Sequence, residues 1–226
     1  MAKSGLASRR KAETYIKEGR IQINGKVAKL PDQVETGDTV LFDGQKVVLS
    51  EKRYFLVYKP IGFISTVDDP HAKKKVVDLV DVPGLFPVGR LDKDSEGLMI
   101  LTNDGEMAQE LTHPSFAHEK EYFVWVSLPQ KDQSLRLENA LKFFKCGIKL
   151  DNKKTQPAAI KLIAKAGGEA KFNIVLREGM KRQIRRTFEK AGLNVKKLQR
   201  VRMGEFRLGD LEPGESNEIN IPSKGK

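Results

Sequence analysis

Residues 89–104 read GRLDKDSEGLMILTND. Asp92, Asp94, Glu96 and Gly97 match the first half of a calcium-binding loop, in which alternate oxygen ligands precede a glycine that permits a sharp turn. The second half does not follow. The position that should close such a loop with a bidentate glutamate is Asn103, and Leu98 to Leu101 read as a buried strand. The stretch is therefore expected to be a turn that presents a carboxylate and runs straight into the core.

The chain has 226 residues, 39% of them hydrophobic, enough for one large domain or a small one joined to a larger one around a real core. No run of about 18 apolar residues exists and the N-terminus lacks a signal-peptide core, so neither a membrane span nor secretion is expected. The single Cys146 offers no internal disulfide and no thiolate cluster, which fits a reducing cytoplasm. The formal net charge of +11 and pI ≈ 9.6 point to an anionic partner, most often nucleic acid. The excess sits in two blocks, a net of +6 over residues 1–30 and +8 over residues 176–207, while the remainder nets −3. A solvated basic face would carry the same charge, so charge alone decides nothing.

In residues 8–18, SRRKAETYIKE, Ala12, Tyr15 and Ile16 share one helical face, with Ser8 as N-cap and Gly19 as terminator. Ile21 and Ile23 then alternate before Asn24-Gly25, a strong hairpin signal. Arg9, Arg10, Lys11, Lys17 and Lys26 would stay exposed around this helix and hairpin. Turn chemistry at Asp43-Gly44 followed by charge places a boundary near residues 48–52, giving domains of 1–48 and 52–226. The larger part reads as α+β. Strands are expected at Tyr54 to Tyr58, Leu98 to Thr102, Tyr122 to Leu128, Lys171 to Leu176 and Ile219 to Ile221, and helices at Glu106 to Leu111 and Arg182 to Ala191. Without regular βαβ alternation, a mixed, mainly antiparallel sheet is expected.

Two resemblances sharpen this outline. Residues Ala7 to Gly25 resemble the S4 RNA-binding domain, whose pattern of ASRR, a helical A and I, and ING they carry in order; a chain opening Met1-Ala2-Lys3 then looks short in its first helix. GRLDKDSEGLMILTNDG at 89–105 resembles the active-site motif of the RsuA/RluB-type ribosomal pseudouridine synthases. So do YKPIGFISTVDDPH at 58–71, LTHPSFAHEKEYFVWV at 111–126 and LREGMKRQIRRTFEKAGLNVKKLQRVRMG at 176–204. The phrasing is closer to the large-subunit, 23S enzymes than to the small-subunit one. The resemblance implies an S4 module in front of a pseudouridine synthase fold, acting without cofactor or metal on ribosomal RNA or ribosomal precursor particles, as a monomer with no membrane partner.

The reaction so implied breaks the N1–C1′ bond of a uridine, turns the uracil and joins C5 to C1′. An ionised carboxylate suits it, because it can stabilise or attack C1′ or take a proton. Asp92 matches the family's essential aspartate; Asp94 and Asp104 have turn compositions and are read as structural. A carboxylate in a pocket for a flat base needs a cation to stay ionised. Ile184, Phe188 and Ala191 form the buried face of a helix from which Arg182, Arg185 and Arg186 project, and Arg185 aligns with the family's arginine that pairs with the aspartate. Tyr122 matches the tyrosine that stacks on uracil and helps remove the C5 proton. Leu176 and Ile184 match apolar positions lining the pocket. Arg90 matches the arginine that fills the space left by the flipped nucleotide. Lys181, Arg182, Lys196, Lys197, Arg200 and Arg202, with Arg9, Arg10 and Lys11 in front, are expected to attract phosphates.

Blander accounts exist for each residue. Asp92 by itself reads as a turn aspartate, Tyr122 as one aromatic of a buried strand, and the arginines as an ordinary basic helix. At the level of function the rivals are a small-subunit 16S synthase and a non-catalytic assembly factor, against which Asp92, Tyr122 and Arg185 together argue. A carboxylate-based glycosidase would need Asp92 and Glu96 to cooperate. His71, His113 and His118 lack metal-ligand spacing, and no glycine cluster forms a phosphate loop.

Overall fold

The computed structural model describes residue 1 and residues 4–221. Ala2 and Lys3, at the expected short start of the first helix, lie outside the described residues. Helix α1 (Arg9–Lys17) begins where Ser8 accepts a hydrogen bond from Lys11 N at 3.3 Å, and it buries Ala12. It ends at Gly19, whose φ of 71° is open to glycine at little cost. Strands β1 (Ile21–Ile23), β2 (Lys26–Val27), β3 (Val40–Phe42) and β4 (Gln45–Lys46) form a four-stranded sheet in the order β2-β1-β3-β4. Its two hairpins turn at Asn24-Gly25 and Asp43-Gly44, all four residues at positive φ as a tight two-residue turn requires.

The rest builds a nine-stranded sheet. In chain order its elements are β5 (Tyr54–Lys59), β6 (Phe86–Pro87), β7 (Glu96–Thr102), α2 (Gly105–Thr112), β8 (Lys120–Ser127) and α3 (Gln133–Cys146). A small hairpin of β9 (Lys149–Leu150) and β10 (Lys153–Lys154) follows. Then come β11 (Ala159–Ala166), β12 (Glu169–Leu176), α4 (Gln183–Lys190), β13 (Asn194–Met203), β14 (Phe206–Arg207) and β15 (Ser216–Ile219). The main path runs β11-β12-β8-β13-β7-β5-β15, with β14 on β13 and β6 on β7. Among the described residues of this sheet only the β13–β7 pair is parallel, so the sheet is mixed and mainly antiparallel and the class is α+β.

β7 runs between β5 and β13, and every one of its residues is buried, as a strand covered on both faces requires. Met99 and Leu101 join the cluster that includes Val124, Phe172, Phe188 and residues of α3. Leu98 and Ile100 join the opposite one, with Tyr58, Leu111 and Met203. The second half of the apparent calcium loop is thus core strand. Asn103, at its closing position, instead binds the segment between the two sheets, donating to Glu51 O at 2.7 Å and accepting from Arg53 N at 2.8 Å. Asp104 is the N-cap of α2 and accepts from the Tyr54 hydroxyl at 2.9 Å.

Some expectations about the elements needed correction. The last strand is Ser216–Ile219 rather than Ile219 to Ile221, because its pairing with β5 starts at Ser216↔Val57 and the strand is a mostly exposed edge. Helix α3 was not expected. β13 occupies a stretch read as a phosphate-contacting run: two register shifts, at Val195/Lys197 and Arg200/Arg202, break its alternation.

Candidate active site

The turn that carries Asp92 is stitched to the 58–71 segment. Ser65 Oγ donates to Leu91 O at 2.8 Å and accepts from Leu91 N at 3.0 Å, and Gly62 N donates to Lys93 O at 2.8 Å. That segment is itself braced by Lys59, wholly buried at the end of β5, whose ammonium donates to Pro60 O at 3.0 Å and Phe63 O at 2.9 Å. Burial pushes the Lys59 pKa down to about 8, against the opposing pull of Asp94 and Asp92. From the other side Arg185, on α4, donates to Asp94 O at 2.6 Å and to Val195 O at 3.1 Å. The turn between Leu91 and Ser95 is therefore held by two distant parts of the chain.

Above it opens a cleft of about 460 Å³. Asp92, Tyr122 and Arg185 all line it, as do Arg90, Leu176 and Ile184, and Lys181 and Arg182 stand at its edge. Leu176 and Ile184 are 3% and 5% exposed and belong to the core cluster, so they serve packing and lining together. Arg90 and Lys181 are exposed. Arg9, Arg10 and Lys11 do not reach the cleft; they stand exposed on α1 of the small sheet.

The cations are arranged differently from the expectation. Arg182 makes a two-pronged bridge to Asp94 at 3.0 and 2.9 Å and lies 3.7 Å from Asp92. Arg185 Nε lies 3.4 Å from the Asp94 carboxylate. Asp94, read from its composition as a turn residue, is thus the carboxylate that both arginines grip, and the Arg182 hydrogen bond holds its pKa below the usual range. The side chain of Asp92 stays 42% exposed toward the cleft. Arg182 is accordingly committed to carboxylates more than to phosphate.

The basic block of 176–207 is also less free than its net charge implies. Lys197 pairs with Glu96 at 2.7 Å, and Arg202 bonds Glu119 and Glu121 at 2.9 and 2.8 Å. Arg200 is 2% exposed and donates to Leu98 O at 2.8 Å. These three do not present free charge to RNA as expected. Glu96 is held by Lys197 and by the Tyr58 hydroxyl at 2.7 Å and does not line the cleft, which removes the second carboxylate that a glycosidase would need.

Sequence reasoning missed Lys59, Lys120, His118 and the burial of Arg200. Lys120 and His118 line the cleft; burial lowers the Lys120 pKa, and His118 Nε2 is buried with no hydrogen-bond partner among the described residues. Lys120 and Tyr122 stand two apart on β8, the spacing that puts both on one face of the strand, and that signal was available. Among the described residues no group of three His, Cys, Asp or Glu is placed to hold a metal, and no helix is long and apolar enough to cross a membrane.

Residues 53–190 match the RNA pseudouridylate synthase family and residues 1–40 match the S4 domain. The chain belongs to the RNA pseudouridylate synthase family. The synthase is 40% identical to ribosomal large subunit pseudouridine synthase B of Bacillus subtilis (strain 168), over 97% of its own length and 89% of that protein. It is 36% identical to the dual-specificity RNA pseudouridine synthase RluF of Escherichia coli (strain K12), over 97% and 73% of the two chains. Among solved structures, a pseudouridylate synthase superposes with a TM-score of 0.67 at 26% identity, covering 97% of the synthase and 93% of that chain. The S4 resemblance and the synthase resemblance read from the four motifs are both borne out.

Proposed function

We propose that the synthase converts a specific uridine of ribosomal RNA, in 23S rRNA, to pseudouridine, with Asp92 as the working carboxylate. The observation that carries this reading is the meeting of Asp92, Tyr122 and Arg185 in one cleft, although they are contributed by a turn, a strand and a helix far apart in sequence. Asp92 serves cleavage of the N1–C1′ bond, Tyr122 stacks on the uracil and takes the C5 proton, and Arg182 and Arg185 supply positive charge next to the turn. Arg185 acts by fixing the turn through Asp94. Leu176 and Ile184 form the apolar wall against the base, and Arg90 fills the space the base vacates. The names of the B. subtilis and E. coli relatives support an RNA target, and the former supports the large subunit.

Around this centre the S4 module of residues 1–48, with Arg9, Arg10 and Lys11 facing outward, and Lys181 beside the cleft hold the RNA backbone. The catalytic unit spans 52–226. The synthase acts in the cytoplasm as a monomer, with no cofactor, on rRNA or a precursor particle. The test is pseudouridine mapping of rRNA, by chemical derivatisation and primer extension, in cells with and without the protein. A 23S site lost on deletion and restored by wild type but not by Asp92→Asn is expected. Loss of a 16S site would overturn the target, and loss of none would leave the assembly-factor reading standing instead.

A further inference from the structure

Arg200 is the largest side chain fully withdrawn from solvent, and it makes no ion pair with a described carboxylate. Its Nε donates to Leu98 O at 2.8 Å and one terminal nitrogen lies 3.6 Å from Met99 Sδ. Its cross-strand neighbour on β8 is Tyr122, which lines the same cleft. Removing a guanidinium from water without a counter-charge is costly even after relaxation. A core strand could be filled more cheaply by leucine or methionine. A desolvated cation that opens onto a cleft is the kind of group that functional sites retain.

The surrounding backbone is built to admit it. β13 and β8 pair Arg200 directly with Tyr122, so the two side chains share a face. The register shift immediately after Arg200 turns Arg202 away, to Glu119 and Glu121. Across the parallel pair, Arg200 stands opposite Gly97 of β7, where a Cβ would collide with the Arg200 backbone. The glycine of the DSEG motif thus lets β13 approach the turn that carries Asp92.

We propose that Arg200 is a positioning residue for the isomerisation: it fixes the Tyr122 oxygen over the base and supplies a permanent positive charge beside it as that oxygen accepts the proton leaving C5. This rests on the role given to Tyr122 above. In the step concerned, C5 is already joined to C1′. The C5–H bond breaks and its electron pair restores the C5–C6 double bond, while the pair of the N1–C6 double bond returns to N1. The Tyr122 oxygen takes that proton while the hydroxyl proton passes to N1, so the tyrosine ends as it began. A cation fixed near the oxygen before the reaction steadies the negative charge that develops there, without reorganisation during the step.

The experiment uses the full chain and the rRNA fragment located by mapping, transcribed with ordinary or 5-deuterated uridine. Arg200→Lys keeps the charge but loses the planar fork, and Arg200→Met removes both; the former carries the test if the latter fails to fold. The single-turnover rate of Arg200→Lys is expected to fall roughly ten- to a hundredfold, within the range of general acid–base effects, with RNA affinity within about twofold of wild type. The deuterium isotope effect should grow, because C5 deprotonation becomes more nearly rate-limiting. In a Tyr122→Phe background, the same substitution should change the residual rate by less than about twofold. An unchanged isotope effect, a rate loss accounted for by weaker RNA binding, or a full additional loss in the Tyr122→Phe background would overturn the proposal. Asp92→Asn, run alongside, separates the failures: turnover by that variant sinks the underlying reading, whereas an inactive Asp92→Asn beside wild-type behaviour of Arg200→Lys sinks only this inference.

Discussion

The guanidinium of Arg185 donates to the backbone carbonyl of Asp94 at 2.6 Å, so the arginine grips the turn that carries Asp92 through its main chain. It also reaches Val195 O, the Asp94 carboxylate and Ser95 Oγ, and only a planar fork spans that set. Arg185→Lys is therefore expected to lower kcat about a hundredfold through misplacement of Asp92, with RNA affinity nearly unchanged. Titrating RNA binding and single-turnover rate on the same variant checks this. Equal losses in both would mean that Arg185 acts on the RNA instead.

Lys59 gives the native state a stability that depends on alkaline pH. Its folded pKa of about 8 lies below the reference of 10.5, so between those values the unfolded chain binds the extra proton and unfolding becomes harder as pH rises. The cost of burying the charge is fully present below about 8 and is relieved above it. Urea midpoints measured from pH 7 to about 9.5, below ordinary tyrosine titration, should rise for wild type and rise less for Lys59→Met. The same slope in both proteins would rule Lys59 out as the cause.

Much of the outline was legible because it rests on local chemistry. Ser8, Asn24-Gly25 and Asp43-Gly44 each impose a cap or a turn, and the expected buried face of α4, Ile184, Phe188 and Ala191, is buried as its spacing requires. Helix α3 also carried a signal, since Leu137, Ala140 and Phe144 recur at spacings of three and four and all are buried. What stayed illegible depends on partners far away in the chain. Arg200 looks like a phosphate ligand until β8 and β7 close around it, and Asp94 looks like a turn former until α4 brings two arginines to it. Asp92, Tyr122 and Arg185 came from family motifs, and composition alone would have left Asp92 among several loop carboxylates.

Gly97 combines a φ of 105° with a Cβ position that runs into the Arg200 backbone. Gly97→Ala must push β13 off β7, at a cost of about 2 kcal/mol or more, since strain and overpacking act together. Denaturant unfolding should show that loss together with reduced turnover. Wild-type stability would mean that the two strands can separate freely at this point.

Arg9, Arg10 and Lys11 are exposed on a helix that buries Ala12, so replacing all three by alanine should leave α1 intact. RNA affinity should then fall and its salt dependence should weaken, the slope of log K against log salt dropping by roughly 0.7 to 0.9 for each phosphate that is no longer neutralised. The single-turnover rate at saturating RNA should hold. An unchanged slope would remove these residues from the RNA interface.

The most direct measurement is single-turnover pseudouridine formation by purified Asp92→Asn on the mapped rRNA fragment, with RNA affinity recorded for the same preparation. Turnover abolished at near wild-type affinity is the predicted result, since the exposed carboxylate is lost while Asp94, Arg182 and Arg185 still hold the turn. Turnover comparable to wild type would contradict the account and move the chemistry away from Asp92.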